Sequence, residues 1–245
     1  MDQFFYTPDQ RSGDTVRLEG EDANHISRVL RLRAGDVVRL ADGRGCDSLG
    51  VIEELSKTEV TVRVTEDDLP THELPFEVTL FQGLPKADKL EWIIQKNTEL
   101  GAARFVPVAM KYSVPKVDEK KEGAKTARRQ AVARSAAAQC KRSCVPEVLP
   151  TVSFAEALAQ AKGLDLFLVP YENAKGAAYT REVLGRLAPG MRIGILIGPE
   201  GGFAPEEAEA AKAAGGELIS LGSRILRTET AGMALLAAIM LMAED

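Results

Sequence analysis

The sequence predicts a chain in two parts: a small β module over residues 1–73, then an α/β domain with a mainly parallel sheet over residues 74–245. Three observations carry this. Residues 1–73 show short apolar–polar alternations divided by turn residues, the mark of half-buried strands. Thr65–Pro75 (TEDDLPTHELP) is acidic, holds two prolines and has no periodicity, which marks a linker. Beyond it, short apolar runs alternate with stretches of helical spacing, as in a sheet joined by crossover helices.

In the first part, Val16–Leu18, Val37–Leu40, Leu49–Glu53 and Val60–Val64 read as strands. Asp42-Gly43 is a hairpin dipeptide. Asp22 reads as the cap of a short helix, Ala23–Leu30. In the second part, Phe76–Gln82 is a strand, and Pro85 opens a helix whose Leu90, Ile93, Ile94 and Leu100 share a face and which Gly101 ends. Arg104–Ala109 is a strand in which Pro107 implies an edge or an irregularity. An Ala-rich helix follows at Thr126–Lys141, then a helix at Phe154–Ala161, a buried strand at Leu164–Val169 and a helix at Thr180–Leu187.

The last quarter holds two special loops. The apolar strand Arg192–Ile197 ends in Gly198–Gly202 (GPEGG), and the strand Glu217–Leu221 breaks into Gly222–Gly232 (GSRILRTETAG) before a closing apolar helix. Loops that follow buried strands and precede helices lie at the carboxyl ends of a parallel sheet, where open α/β sheets place ligands. Arg224, Arg227, Thr228, Glu229 and Thr230 crowd the second loop, a costly arrangement between two apolar elements unless those groups are solvated or used.

Composition limits the alternatives. A chain of 245 residues with 45% hydrophobic and 27% charged residues is ordinary globular protein, and no apolar run reaches the roughly 20 residues that cross a bilayer. No membrane partner is expected. The N-terminus MDQFFYTPDQR lacks a basic start followed by an apolar stretch, so no signal peptide is expected and the location is expected to be cytoplasmic. Three cysteines and two histidines, dispersed in sequence, predict neither a disulfide framework nor a metal site. The net charge is −5, yet Lys111–Arg142 holds ten Lys/Arg against three Asp/Glu. An acidic protein with one basic segment can still face phosphates. Neither G-x-G-x-x-G nor G-x-x-x-x-G-K-[ST] occurs, which argues against a Rossmann dinucleotide site and a P-loop kinase.

The stretches NHISRVLRLRAGDVVRLADGRG, KLEWIIQKNTELGAARFVPV, AAAQCKRSCVPEV, IGPEGGF and, most specifically, LGSRILRTETA resemble the RsmE family of SPOUT-class RNA methyltransferases over nearly the whole chain. The chain differs from the usual family pattern at Asp2-Gln3, at Asn24 and at Arg129. The resemblance implies a PUA-like, RNA-binding β-barrel followed by a SPOUT methyltransferase domain with a C-terminal trefoil knot, although chains in general avoid knots. It implies a homodimer that binds S-adenosylmethionine without a metal and methylates uridine N3 in 16S ribosomal RNA of the small subunit. Val169 and Pro170, Ile197, Gly198, Pro199, Glu200 and Gly201, and Leu221, Gly222, Ile225, Leu226 and Arg227 then form the donor loops. Arg28, Arg31 and Arg33, with Lys86, Lys89, Gln139 and Arg142, are the RNA-facing candidates.

Uracil N3 is not nucleophilic until its proton leaves, so such an enzyme must stabilise an anion in line with the methyl group. Arg227 is the candidate for that charge, and Glu200 for orienting or deprotonating the base. Two other readings compete: a non-catalytic RNA-binding or ribosome-assembly protein, and methylation at another RNA position.

Overall fold

The computed structural model describes residues 1–174 and 176–243. The chain divides into two units, Met1–Glu73 with Ala137–Val145, and Leu74–Ala136 with Pro146–Asp245.

The first unit is built from β1 (Gln3–Phe5), β2 (Arg11–Ser12), β3 (Thr15–Glu19), α1 (Gly20–Asn24), β4 (Val37–Ala41), β5 (Asp47–Leu55) and β6 (Glu59–Glu66). The sheet order is β1-β4-β5-β6-β3-β2, with β1 parallel to β4 and the other pairs antiparallel. Register shifts between β5 and β6, beside Gly50 and Glu54, bend the sheet. The alternating residues Val16, Leu18, Val38, Leu40, Ile52, Val60 and Val62 all enter one core, closed by Ala23 and Ile26. Asp42 accepts the Arg44 and Cys46 N–H groups to make the β4–β5 turn. The helix starts earlier than expected: Glu19 occupies the cap position without a side-chain bond, and Asp22 lies in the first turn. It continues as a wider π-helical segment, His25–Leu30, and stops at Arg31 with φ +56°.

The sequence reading assigns Ala137–Val145 to the second domain, and the structure puts it in the first unit. Buried polar groups hold it there. Arg142 is 3% exposed and binds Glu73 through Nε (3.0 Å) and Nη2 (2.5 Å). Ser143 donates to the fully buried Asp47 at 2.7 Å, which Arg39 also binds at 2.5 Å. Losing one member would strip a buried charged group of one of its partners. Arg142 is thus a structural group and not the RNA-facing one expected. Residues 65–73 of the expected linker also belong to this unit, tied through Asp67 with Arg11 and Ser48 and through the Pro70 carbonyl with Arg39.

The second unit comprises β7 (Glu77–Gly83), α2 (Lys89–Glu99), β8 (Arg104–Ala109), α3 (Glu119–Gln139, whose last three residues belong to the first unit), β9 (Glu147–Val148), β10 (Val152–Ser153), α4 (Phe154–Ala161), β11 (Leu166–Pro170), α5 (Ala177–Leu184), β12 (Arg192–Ile197), α6 (Pro205–Ala213), β13 (Glu217–Ile219) and α7 (Thr228–Ala243). Its sheet runs β10-β8-β7-β12-β11-β13, every pair parallel, with β9 also on β8. Strand β12 thus occupies the place between β7 and the earlier β11. One face packs on α2, α5 and α7 through Ile93, Val183 and Leu235. The other packs on α4 and α6 through Ala157 and Ala211. Burial on both faces explains the continuous apolar runs of these strands.

Two expectations shift here. Pro85 does not open α2, which begins at Lys89, because Ala87 takes φ +53° and residues 84–88 form a loop. The outer flank of β8 is paired at Arg104–Phe105 and Val108–Ala109, so Pro107 sits where no ladder partner asks for its missing N–H.

Arg129 is nearly buried, at 3.1 Å from Glu122, which also accepts the Thr151 N–H and hydroxyl. Burial opposes the charge of Glu122, but the Thr151 bonds and Arg129 outweigh it and lower its pKa. A carboxyl lowered on folding stabilises fully above its unfolded value, about 4.3, and loses that contribution as pH falls through the folded value. Glu122→Gln should therefore lower Tm by several degrees at neutral pH, for a loss of about 1.5–3 kcal/mol. The gap from the parent should narrow as pH falls below the unfolded value, about 4.3. Melting curves across pH check this, and a gap that widens in acid would refute it.

Candidate active site

A cavity of about 480 Å³ opens at the carboxyl ends of β11, β12 and β13. Its walls are Pro170–Glu172 at the end of β11, Ile197–Phe203 at the end of β12, and residues 220–229 with Ala231 after β13. All three segments follow parallel strands, which explains their convergence. Thr228 staples them: its hydroxyl donates to the Gly198 carbonyl at 2.6 Å and accepts from Gln82 Nε2 at 2.8 Å. The Tyr171 N–H donates to the Ile219 carbonyl at 2.9 Å. Tyr171 and Phe203 meet edge to face with ring centres 6.1 Å apart. Ser220 is set by Thr180, whose hydroxyl donates to the Ser220 carbonyl and accepts its N–H.

Pro170, Ile197, Gly198, Pro199, Glu200, Gly201, Leu221, Gly222, Leu226 and Arg227 line this cavity. Val169 does not: it is fully buried in the core shared with Phe167 and Leu196, because alternate residues of a strand face opposite sides. Ile225 borders the cavity, but its side chain is 84% exposed and builds no apolar wall. The sequence reading missed Tyr171, Glu172 and Phe203. The first two follow β11 directly, and the rule that singled out the other loops would have found them.

The charges are unevenly matched. Lys89 Nζ lies 3.1 Å from Glu200 and 3.3 Å from Glu229. Glu200 also accepts the Lys86 N–H. Burial disfavours the Glu200 carboxylate, but its own N–H, Lys89 and the Lys86 N–H outweigh that and lower its pKa. Such a group anchors the loop at residues 84–88 and is a weak proton acceptor. This argues against Glu200 as the group that deprotonates the base and leaves it the orienting role. Arg224 and Arg227 line the same cavity with no side-chain partner among the described residues.

The other RNA-facing candidates differ in availability. Arg28, Arg31 and Arg33 are exposed, with no side-chain partner among the described residues. Asp36 accepts the Arg33 backbone N–H and not its guanidinium. Lys86 and Gln139 are exposed, whereas Lys89 is held by its two glutamates. Among the described residues no cluster of His, Cys, Asp and Glu fits a metal, and no helix is long and apolar enough to cross a membrane.

Residues 72–240 match the family described as RNA methyltransferase domain, and residues 18–65 match the RNA methyltransferase PUA domain. The chain belongs to this RNA methyltransferase family. The cavity of the methyltransferase domain therefore lies within the family match, and the first unit carries its PUA domain. The chain is 38% identical to ribosomal RNA small subunit methyltransferase E of Bacillus subtilis, over 92% of its own length and 89% of the relative's. It is 31% identical to the protein of the same name from Synechocystis, over 97% and 77%. Among solved structures, ribosomal RNA small subunit methyltransferase E of Neisseria gonorrhoeae bound to S-adenosyl methionine superposes with a TM-score of 0.86. The two are 29% identical, over 99% of this chain and 98% of the other.

Proposed function

We propose that this methyltransferase transfers the methyl group of S-adenosylmethionine to uridine N3 in 16S ribosomal RNA of the small subunit. The observation that carries the reading is the cavity at the ends of β11, β12 and β13. Its volume suits a small cofactor, and it pairs apolar walls with the backbone polar groups of glycine turns. Pro170, Ile197, Leu221 and Leu226 would hold the apolar parts of the donor, and the turns at Gly198–Gly201 and Gly222 its polar edges. When bound, the donor supplies an electrophilic methyl on a sulfonium.

The chain's own residues then act on the acceptor. N3 lies on the pairing edge of uracil, so the target base must be unpaired to enter. Arg227 offers a planar, permanently charged donor to the anion that develops as the N3 proton passes to solvent water. Glu200 shapes the wall through the Lys86 N–H.

The reading extends to architecture. We infer a SPOUT-type trefoil knot in which the closing segment threads past the loop after β11, supported by the place of β12 between β7 and β11. A homodimer acting in the cytoplasm completes the proposal; small-subunit ribosomal RNA as the substrate is supported by the names of the relatives.

The test is to incubate the protein with labelled donor and small subunits that lack the modification, then map the product by mass spectrometry. One uridine methylated at N3 is expected. No transfer would favour the non-catalytic reading, and label on another atom would replace the acceptor. For the RNA surface, removing charge at Arg28, Arg31 and Arg33 should weaken RNA binding and leave donor affinity unchanged. It should reduce the log–log salt slope by about 0.7–0.9 per lost phosphate contact. An unchanged slope would move the contact to other basic residues.

A further inference from the structure

The cavity holds three cations and three carboxylates, Lys89, Arg224 and Arg227 with Glu172, Glu200 and Glu229, yet Arg227 has no ion-pair partner among the described residues. An exposed guanidinium on this wall stays free of an ion pair more readily where the carboxylates beside it are held by other groups. Two of them are. Lys89, the first residue of α2, reaches Glu200 on the turn after β12 and Glu229 in the first turn of α7. Glu200 has a second donor in the Lys86 N–H, while Lys89 is the partner that holds Glu229 at 3.3 Å.

We propose that Lys89 is a positioning residue that occupies Glu229 and Glu200 and so keeps Arg227 free for the acceptor base. The proposal rests on the role given to Arg227 above. Lys89 itself is no proton acceptor. Its hydrogen bond to Glu200 raises its pKa above the ordinary lysine value despite some burial, so it remains charged. Without it, Glu200 keeps the Lys86 N–H and stays near its place. Glu229 loses its amine and is two residues from Arg227 on the rim of the same cavity. A freed carboxylate there would pair with the guanidinium and cancel the charge that the transition state needs.

The experiment compares single-turnover methyl transfer to small subunits lacking the modification, donor Kd by calorimetry, and Tm. The proteins are the parent, Lys89→Met, Lys89→Arg, Lys89→Met with Glu229→Gln, and Arg227→Ala. Lys89→Met should slow transfer by about tenfold or more, with donor Kd changed by less than about threefold. Adding Glu229→Gln should return the rate to within about threefold of the parent, since the neutral amide cannot cancel Arg227. Lys89→Arg keeps a cation between the two carboxylates and should hold the rate. If Glu229→Gln restores nothing, or Lys89→Met loses donor affinity and rate in parallel, Lys89 is a structural tie and the proposal falls. A loss with Lys89→Arg equal to that with Lys89→Met would also overturn it, whether or not the methionine variant folds. Arg227→Ala separates the two levels. A slow Arg227→Ala without rescue by Glu229→Gln rejects the Lys89 proposal alone, and an Arg227→Ala that keeps the parent rate rejects the reading beneath it.

Discussion

Arg227→Ala should slow single-turnover methyl transfer by about 10²–10³-fold, the scale of one removed electrostatic donor, while donor Kd changes by less than about threefold. The structure supports this division of labour. Arg227 lines the cavity with an exposed side chain that makes no ion pair or hydrogen bond among the described residues. Its removal therefore leaves no buried carboxylate stranded, and Glu229 keeps Lys89. The backbone carbonyl of Arg227 accepts the Thr230 and Ala231 N–H groups at the start of α7, and alanine keeps both bonds. Tm should stay within about 2–4 °C of the parent, a loss of no more than about 1 kcal/mol. Arg227→Lys should recover only part of the rate, since a point charge lacks the planar fork that meets two acceptors. If donor affinity, Tm and rate fall together, Arg227 shapes the loop and has no direct part in transfer.

Gly83→Ala should damage the proposed donor site without touching a charged group. Gly83 is the last residue of β7, paired with Val108. A Cβ there would lie 2.7 Å from both the backbone nitrogen and Cδ of Pro199, and 2.8 Å from Met110 Sδ. The methionine can move, but Pro199 belongs to the turn that walls the cavity, so the strain passes into that turn. Overpacking of this kind costs about 1–3 kcal/mol. If the turn absorbs it, donor affinity should fall by roughly 5–150-fold and Tm by several degrees. Calorimetry with S-adenosylmethionine beside a melting curve checks it. An unchanged donor Kd would mean that the turn yields without reshaping the cavity.

Much of the architecture is a local property of the chain. The alternating strands of the first unit and the apolar strands of the second were legible because burial on one face or on two leaves a period in the sequence. Strand Arg104–Ala109, helix Phe154–Ala161 and strand Arg192–Ile197 have the bounds that the sequence predicts. The two glycine-rich loops were legible as the walls of one cavity because the carboxyl ends of buried parallel strands are where open α/β sheets leave room for ligands. Helix starts were less so. Asp22 and Pro85 carry proper start signals, but the backbone turned helical before the one and after the other, since tertiary context overrides a weak local preference.

What only the tertiary structure decided concerns partners distant in sequence. Arg142 reads as one more cation of a basic segment until Glu73, 69 positions away, is seen to bind it. Lys89 reads as RNA-facing until Glu200 and Glu229 are found on either side of it. Gly201 reads as a glycine that lets the backbone approach a ligand, yet a Cβ there would meet Tyr112 Cβ at 2.7 Å, so a neighbouring loop demands it. Gly83 carried no signal at all, because its neighbour Pro199 comes more than a hundred residues later. Residue type and period report what a position needs from water and from its own helix or strand. They do not report which distant group will satisfy it, and in this chain that choice separates a free arginine from a committed one.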